Sequence, residues 1–98
     1  MSYPYLYDYK EGLAHFVVDF DGAKLRKLDK EAEIEHLITV GDGGTLHHSS
    51  LQKNPFNDTW RVAFTVKPDG TGKPIELRCF LRQDPDVLTE TWSYLWQP

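Results

Sequence analysis

The sequence predicts an all-β domain, an antiparallel β-sandwich of six to seven strands, on three observations. Apolar and polar residues alternate at period two in one segment after another. Short runs of Gly, Pro, Asn and Asp join these segments, and no stretch carries the apolar stripe of a buried helix. Alternation gives each strand one apolar and one solvated face, and two such sheets bury their apolar faces by packing together. Connections this short join antiparallel neighbours, because a parallel pair needs a crossover of about a dozen residues or more. A small closed barrel satisfies the same periodicity and stays open as an alternative at this point.

In chain order, residues 1–13 are Tyr-rich, lack strand periodicity and read as a leader or linker remnant, with the sandwich domain running over 14–98. The first strand is AHFVVDF (14–20), closed by the turn signal DFDG. Residues 27–36, KLDKEAEIEH, have helical composition but too few apolar positions for a buried face. IEHLITV (34–40) and TLHHSSLQ (45–52) flank the turn GDGG, and NPFND leads into TWRVAFTV (59–66). There Trp60, Val62, Phe64 and Val66 share one face, opposite Arg61, Ala63, Thr65 and Lys67. After KPDGTGKP comes IELRCFL (75–81), with Ile75, Leu77, Cys79 and Leu81 on the apolar face, and after RQDPD comes LTETWSYLW (88–96). The last strand sets Leu88, Glu90, Trp92, Tyr94 and Trp96 on one side. Glu90 breaks that apolar row, so it sits at the rim or finds Arg61, Arg78 or Arg82, since an unpaired buried carboxylate is too costly.

Size and charge bound the function. The chain has 98 residues, 40% of them apolar and 13% aromatic, enough for one domain with its own core. A formal charge of -4 with scattered basic residues excludes a phosphate-binding surface, so neither nucleic acid nor an anionic membrane is an expected partner. The start MSYPYLYDYKEG has neither the basic opening nor the apolar run of an export signal, and no stretch approaches a membrane span. Export is therefore expected to have been encoded outside this sequence.

Few residues suggest chemistry. His47 and His48 are adjacent in a strand and point to opposite faces, and His15 and His36 lie on other strands, so no metal site is expected. No cofactor motif is present: GDGG lacks the Lys and Ser/Thr of a phosphate loop and precedes a strand. Cys79, alone and mid-strand on an apolar face, reads as a small buried hydrophobe rather than a nucleophile, and cannot form an intrachain disulfide. NDT (57–59) matches a glycosylation sequon, a pattern common by chance. Asp19, Asp21 and Glu90 are the candidates for a glycosidase carboxylate pair, which needs two acids about 5–9 Å apart beside a cleft, but no catalysis is expected from a sandwich with such short loops. Aromatic rings can stack on sugars. Trp92 is assigned to the core, whereas Trp60 and Trp96 are the candidate carbohydrate-binding residues.

FVVDFDGAKLRKL (16–28), NPFNDTWRVAFTVKPDG (54–70), KPIELRCFLR (73–82) and LTETWSYLW (88–96) occur together and in order. In these motifs the chain resembles the C-terminal domain of the periplasmic glucans biosynthesis protein G/D family. The resemblance implies an immunoglobulin-like sandwich from a bacterial periplasmic protein involved in making osmoregulated β-glucans. In that family a larger N-terminal domain carries the glucan groove and its acidic catalytic residues. None of those positions falls in this sequence, so none is carried over. The expected role is that of a non-catalytic accessory domain, with the missing N-terminal catalytic domain, glucan-assembly proteins, a β-glucan or a second copy of the chain as candidate partners.

Overall fold

The computed structural model describes residues 5–8 and 10–98, and residues 1–4 and Tyr9 of the expected leader lie outside the described residues. Two antiparallel four-stranded sheets form, rather than a closed barrel. The first has the order β1 (Tyr5–Asp8), β2 (Leu13–Phe20), β5 (Trp60–Pro68), β4 (Gly44–Lys53). The second places β6 (Ile75–Gln83) between β3 (Glu35–Val40) on one side and β7 (Asp86–Val87) followed by β8 (Trp92–Trp96) on the other. The arrangement is that of an antiparallel β-sandwich. The single cysteine means that no disulfide ties the sheets.

The alternating strands form where periodicity requires. On β2, Ala14, Phe16, Val18 and Phe20 point inward; on β5, Trp60, Val62, Phe64 and Val66; on β6, Ile75, Leu77, Cys79 and Leu81. The registers Phe16↔Phe64, Cys79↔Trp92 and Ile75↔Trp96 bring these rows into one core. Its centre is aromatic. Phe16 stacks on Phe64 at 5.2 Å between centroids, Trp96 meets the Phe16 ring edge-on at 5.5 Å, and Trp92 meets Phe64 edge-on at 6.2 Å. Such pairs add roughly 0.5–1.5 kcal/mol each beyond the area they bury.

Four local features differ from the sequence expectation. Tyr5–Asp8 pairs with residues 13–16 of β2, so the sheet extends upstream of Ala14, and Asp8 Oδ1 accepts the amides of Lys10 and Glu11 to close the turn. A single helical turn, α1 (Ala23–Arg26), forms in a stretch that the sequence reading assigned to no element. It is held by the fully buried Leu25 and by Lys53, whose Nζ donates to the carbonyls of Arg26 and Leu28. A bulge at His47 shifts the β4 register between Leu46 and His48, so His47 and His48 are both exposed instead of alternating. The last predicted strand starts late: β8 begins only at Trp92, β7 lies ahead of the predicted start, and residues 88–91 between them are in no strand.

The corner from β3 to β4 shows why glycine stands at Gly44. A Cβ there would lie 3.0 Å from Ile75 Cδ1 and 3.1 Å from Val66 Cγ1, contacts too close for ordinary packing. This is where the chain passes from one sheet to the other.

Candidate functional site

The two tryptophans expected to face a sugar do not. Trp60 is 2% and Trp96 1% exposed, each on the inward row of its strand. The Trp60 indole N–H donates to the Leu25 carbonyl at 3.0 Å, which ties α1 to the core. Trp96 lies opposite Ile75 and packs on Phe16. With no face open to solvent, neither ring can stack on a pyranose.

Trp92, expected to be sealed, is only partly buried. It packs against Tyr94 with centroids 6.0 Å apart and planes 16° apart, and it forms part of the wall of a surface groove of about 630 Å³. Val18, Asp19, Phe20 and Asp21 line one side of the groove, and Leu88, Thr89, Glu90, Thr91, Trp92 and Ser93 the other. Two features of the fold open it. Strand β1 covers only residues 13–16 of β2, so among the described residues the second half of β2 has no strand on that side. Facing it is the interruption between β7 and β8. There the Leu88 amide still bonds Leu81 O at 2.9 Å and the Thr89 hydroxyl accepts the Leu81 amide at 3.0 Å, so β6 keeps its hydrogen bonds while Glu90 and Thr91 stand out in solvent.

The three acids named from the sequence therefore line one groove, with different electrostatics. Asp19 accepts two bonds from Arg61, at 2.8 and 3.1 Å. Asp21 accepts two from Arg26, both 2.8 Å, and one from the Gly22 amide. The Arg26 hydrogen bond, with help from that amide, lowers the Asp21 pKa to about 2. Glu90 is exposed, and the three arginines expected as its partners pair elsewhere: Arg61 with Asp19, Arg78 with Glu76 and Arg82 with Glu35. A glycosidase general acid needs a carboxyl held protonated near neutral pH, and Asp21 is shifted the opposite way.

The remaining candidates occupy structural positions. Burial pushes the Cys79 thiol up to about 11, so at neutral pH it carries no thiolate to react. His36 is half-buried between the sheets, 3.1 Å from Ser49 Oγ, and burial lowers its pKa. Among the described residues no three His, Cys, Asp or Glu side chains are grouped to hold a metal ion. A second groove of about 710 Å³ is bordered by Asp29, Glu31, Leu51, Pro55 and Lys53, but Lys53 is already engaged with the α1 carbonyls and with Asp58 at 3.6 Å.

Comparison with known proteins assigns the chain. The model of the family described as "Periplasmic glucan biosynthesis protein, MdoG" matches residues 6–96. The chain belongs to the MdoG family. Glucans biosynthesis protein G of Sodalis glossinidius is 39% identical over 85 residues, which cover 87% of this chain and 16% of that protein. Glucans biosynthesis protein G of Dickeya dadantii is 37% identical over 84 residues, 86% of this chain and 16% of the relative. The chain thus spans about a sixth of the length of the curated relatives it matches.

Sequence reasoning missed Trp92 and Thr89 as groove residues. The one available signal was Glu90, a carboxylate in an apolar row, which marks where the row ceases to be buried.

Proposed function

We propose that this chain is a non-catalytic accessory domain of a periplasmic osmoregulated β-glucan biosynthesis protein, a scaffold that docks on the remainder of such a protein or on its glucan-assembly partners. The observation that carries the reading is the family match over residues 6–96 by a chain only a sixth as long as its relatives. Two features support it. Asp19 and Asp21 are committed to arginines, which argues against their acting as acid or base. On the outer face of the first sheet Leu6 is 73% and Val17 46% exposed, and Val17 lies opposite Ala63. A docked chain would cover these apolar groups. On this reading the chain works in the periplasm, and no helix among the described residues is long and apolar enough to cross a membrane.

The test is a chimera. In Sodalis glossinidius glucans biosynthesis protein G, the matched segment is either deleted or replaced by residues 6–96 of this chain, and periplasmic glucan is measured. The replacement is expected to restore production that the deletion loses, and Val17→Glu in the replacement is expected to lose it again. Full production by the deletion protein overturns the reading, and so does sugar release from β-glucan by this chain alone that Glu90→Gln abolishes.

A further inference from the structure

Three Asp–Gly steps lie in the turns of this chain, Asp21–Gly22, Asp42–Gly43 and Asp69–Gly70, and all three are open in principle to the same spontaneous chemistry. The backbone nitrogen that follows an aspartate can attack that residue's own side-chain carbonyl carbon, and glycine, which lacks a Cβ, hinders the attack least. Every other aspartate precedes a larger residue. Because the attack expels water, it needs a protonated carboxyl that is free to turn and an amide not held by another group.

Two of the three steps are tied down. Asp21 accepts two bonds from Arg26, both 2.8 Å, and one from the Gly22 amide, the very nitrogen that would have to attack. With its pKa lowered to about 2, chiefly by Arg26, its protonated fraction is on the order of a fiftieth of an ordinary aspartate's at the same pH. Asp69 accepts the Thr71 hydroxyl at 2.6 Å and the Thr71 amide at 2.9 Å, and these bonds lower its pKa as well. Asp42 differs from both. It is exposed, and among the described residues no hydrogen bond or ion pair holds its carboxylate or takes the Gly43 amide. Its surroundings are fixed instead: the Gly41 amide donates to Glu76 O at 2.8 Å, and Gly43 O accepts the Asp69 amide at 2.8 Å. The turn also requires glycine at the attacking position, because φ of Gly43 is 102°.

We propose that Asp42 is a site of isoaspartate formation, singled out from Asp21 and Asp69 because its carboxyl and the amide after it are untied. The Gly43 nitrogen forms a bond to Asp42 Cγ, while the nitrogen's proton and the carboxyl hydroxyl leave as water, which closes a succinimide ring. Water then adds to either ring carbonyl and a C–N bond breaks. Opening at Cγ restores aspartate. Opening at the main-chain carbonyl leaves the backbone running through Cβ and Cγ, one carbon longer, with the α-carboxylate as the side group. The added carbon enters the corner between the two sheets, between the pinned Gly41 and Gly43 groups and just ahead of the tightly packed Gly44, so the modification alters that join.

The purified chain is aged in warm, weakly acidic buffer, both folded and in denaturing urea. Isoaspartate is located by electron-transfer fragmentation of its peptides and quantified with an isoaspartyl methyltransferase and labelled S-adenosylmethionine. In the folded chain it is expected to accumulate at residue 42 at least about tenfold faster than at residue 21, the order set by the protonated fractions, and faster than at residue 69. In urea the three sites are expected to converge, since only the fold distinguishes them. Arg26→Gln, at an exposed side chain, is expected to speed the reaction at residue 21 of the folded chain. The proposal fails if residue 42 stays intact in the folded chain, if residue 21 or 69 reacts as fast, if the ranking persists unchanged in urea, or if Arg26→Gln leaves residue 21 inert. None of these outcomes bears on the chimera, so the modification site and the scaffold role can fail separately.

Discussion

Replacing Trp60 by Phe separates a core role for that ring from the sugar-facing role its sequence suggests. The side chain is 2% exposed, and its indole N–H donates to Leu25 O at 3.0 Å. Phe keeps one ring and loses the donor. The lost hydrogen bond is worth about 1 kcal/mol, at the low end for a buried bond, because Leu25 O also accepts the Leu28 amide at 3.2 Å and is not orphaned. The missing ring leaves a void of roughly 40 Å³, about 1 kcal/mol at ~24 cal/mol per Å³, and the apolar area no longer buried removes about 1 kcal/mol more. The total is about 3 kcal/mol, a large part of the stability of a domain this size. With a urea m-value of about 1–2 kcal/mol/M, the unfolding midpoint should fall by about 1.5–3 M with m unchanged. Equilibrium urea unfolding followed by far-UV circular dichroism measures it. A loss below about 0.5 kcal/mol, the level of an ordinary surface change, would refute the core assignment.

Three further perturbations test other parts of the fold. Cys79 should resist thiol reagents at pH 8 while folded and react rapidly in denaturant. Because its pKa is raised to about 11 from an ordinary 9.0, the stability linked to it is complete below pH 9 and declines as pH rises toward 11; a pH-independent stability across that window in wild type would contradict the burial. His36 titrates the other way: burial lowers its folded pKa below 6.5, so stability should fall as pH drops through 6.5, and His36→Asn should flatten that slope in urea titrations. Gly44→Ala should cost about 1–3 kcal/mol through contact with Ile75 and Val66, measurable as a lowered melting temperature, and a neutral result would mean that both side chains yield without cost.

The regular parts of the sandwich were legible because their physics is local. On β5 and β6 the rows read from the sequence, Trp60 to Val66 and Ile75 to Leu81, are the rows that are buried. What escaped depends on a neighbour. Tyr5–Asp8 is a strand because residues 13–16 lie beside it, and four residues are too few to show a period. The buried Leu25 and the distant Lys53 hold α1, so its one turn has no helical signature of its own, and the helix-like composition further on contributes only Leu28 and Ile34 to the core. One inserted residue in β4 undid the argument from adjacent histidines, since a bulge cancels the alternation on which it relied.

The tryptophans show the same limit most clearly. In the sequence Trp96 stood as a candidate sugar-binding ring, and Trp92 was assigned to the core. Exposure is instead set by what stands opposite. Antiparallel pairing puts Trp96 across from Ile75, where β6 begins and the Phe16 ring covers it, and puts Trp92 at the start of β8, next to a stretch that has left the sheet. Nothing in the letters LTET announces that departure, since Thr is a good strand residue. It is made affordable by one side chain, the Thr89 hydroxyl, which takes the Leu81 amide that a continuous strand would have bonded. The sequence could therefore nominate Asp19, Asp21 and Glu90 as a set, while their place along one groove with Trp92 follows from a short β1 on one side and that substituted hydrogen bond on the other.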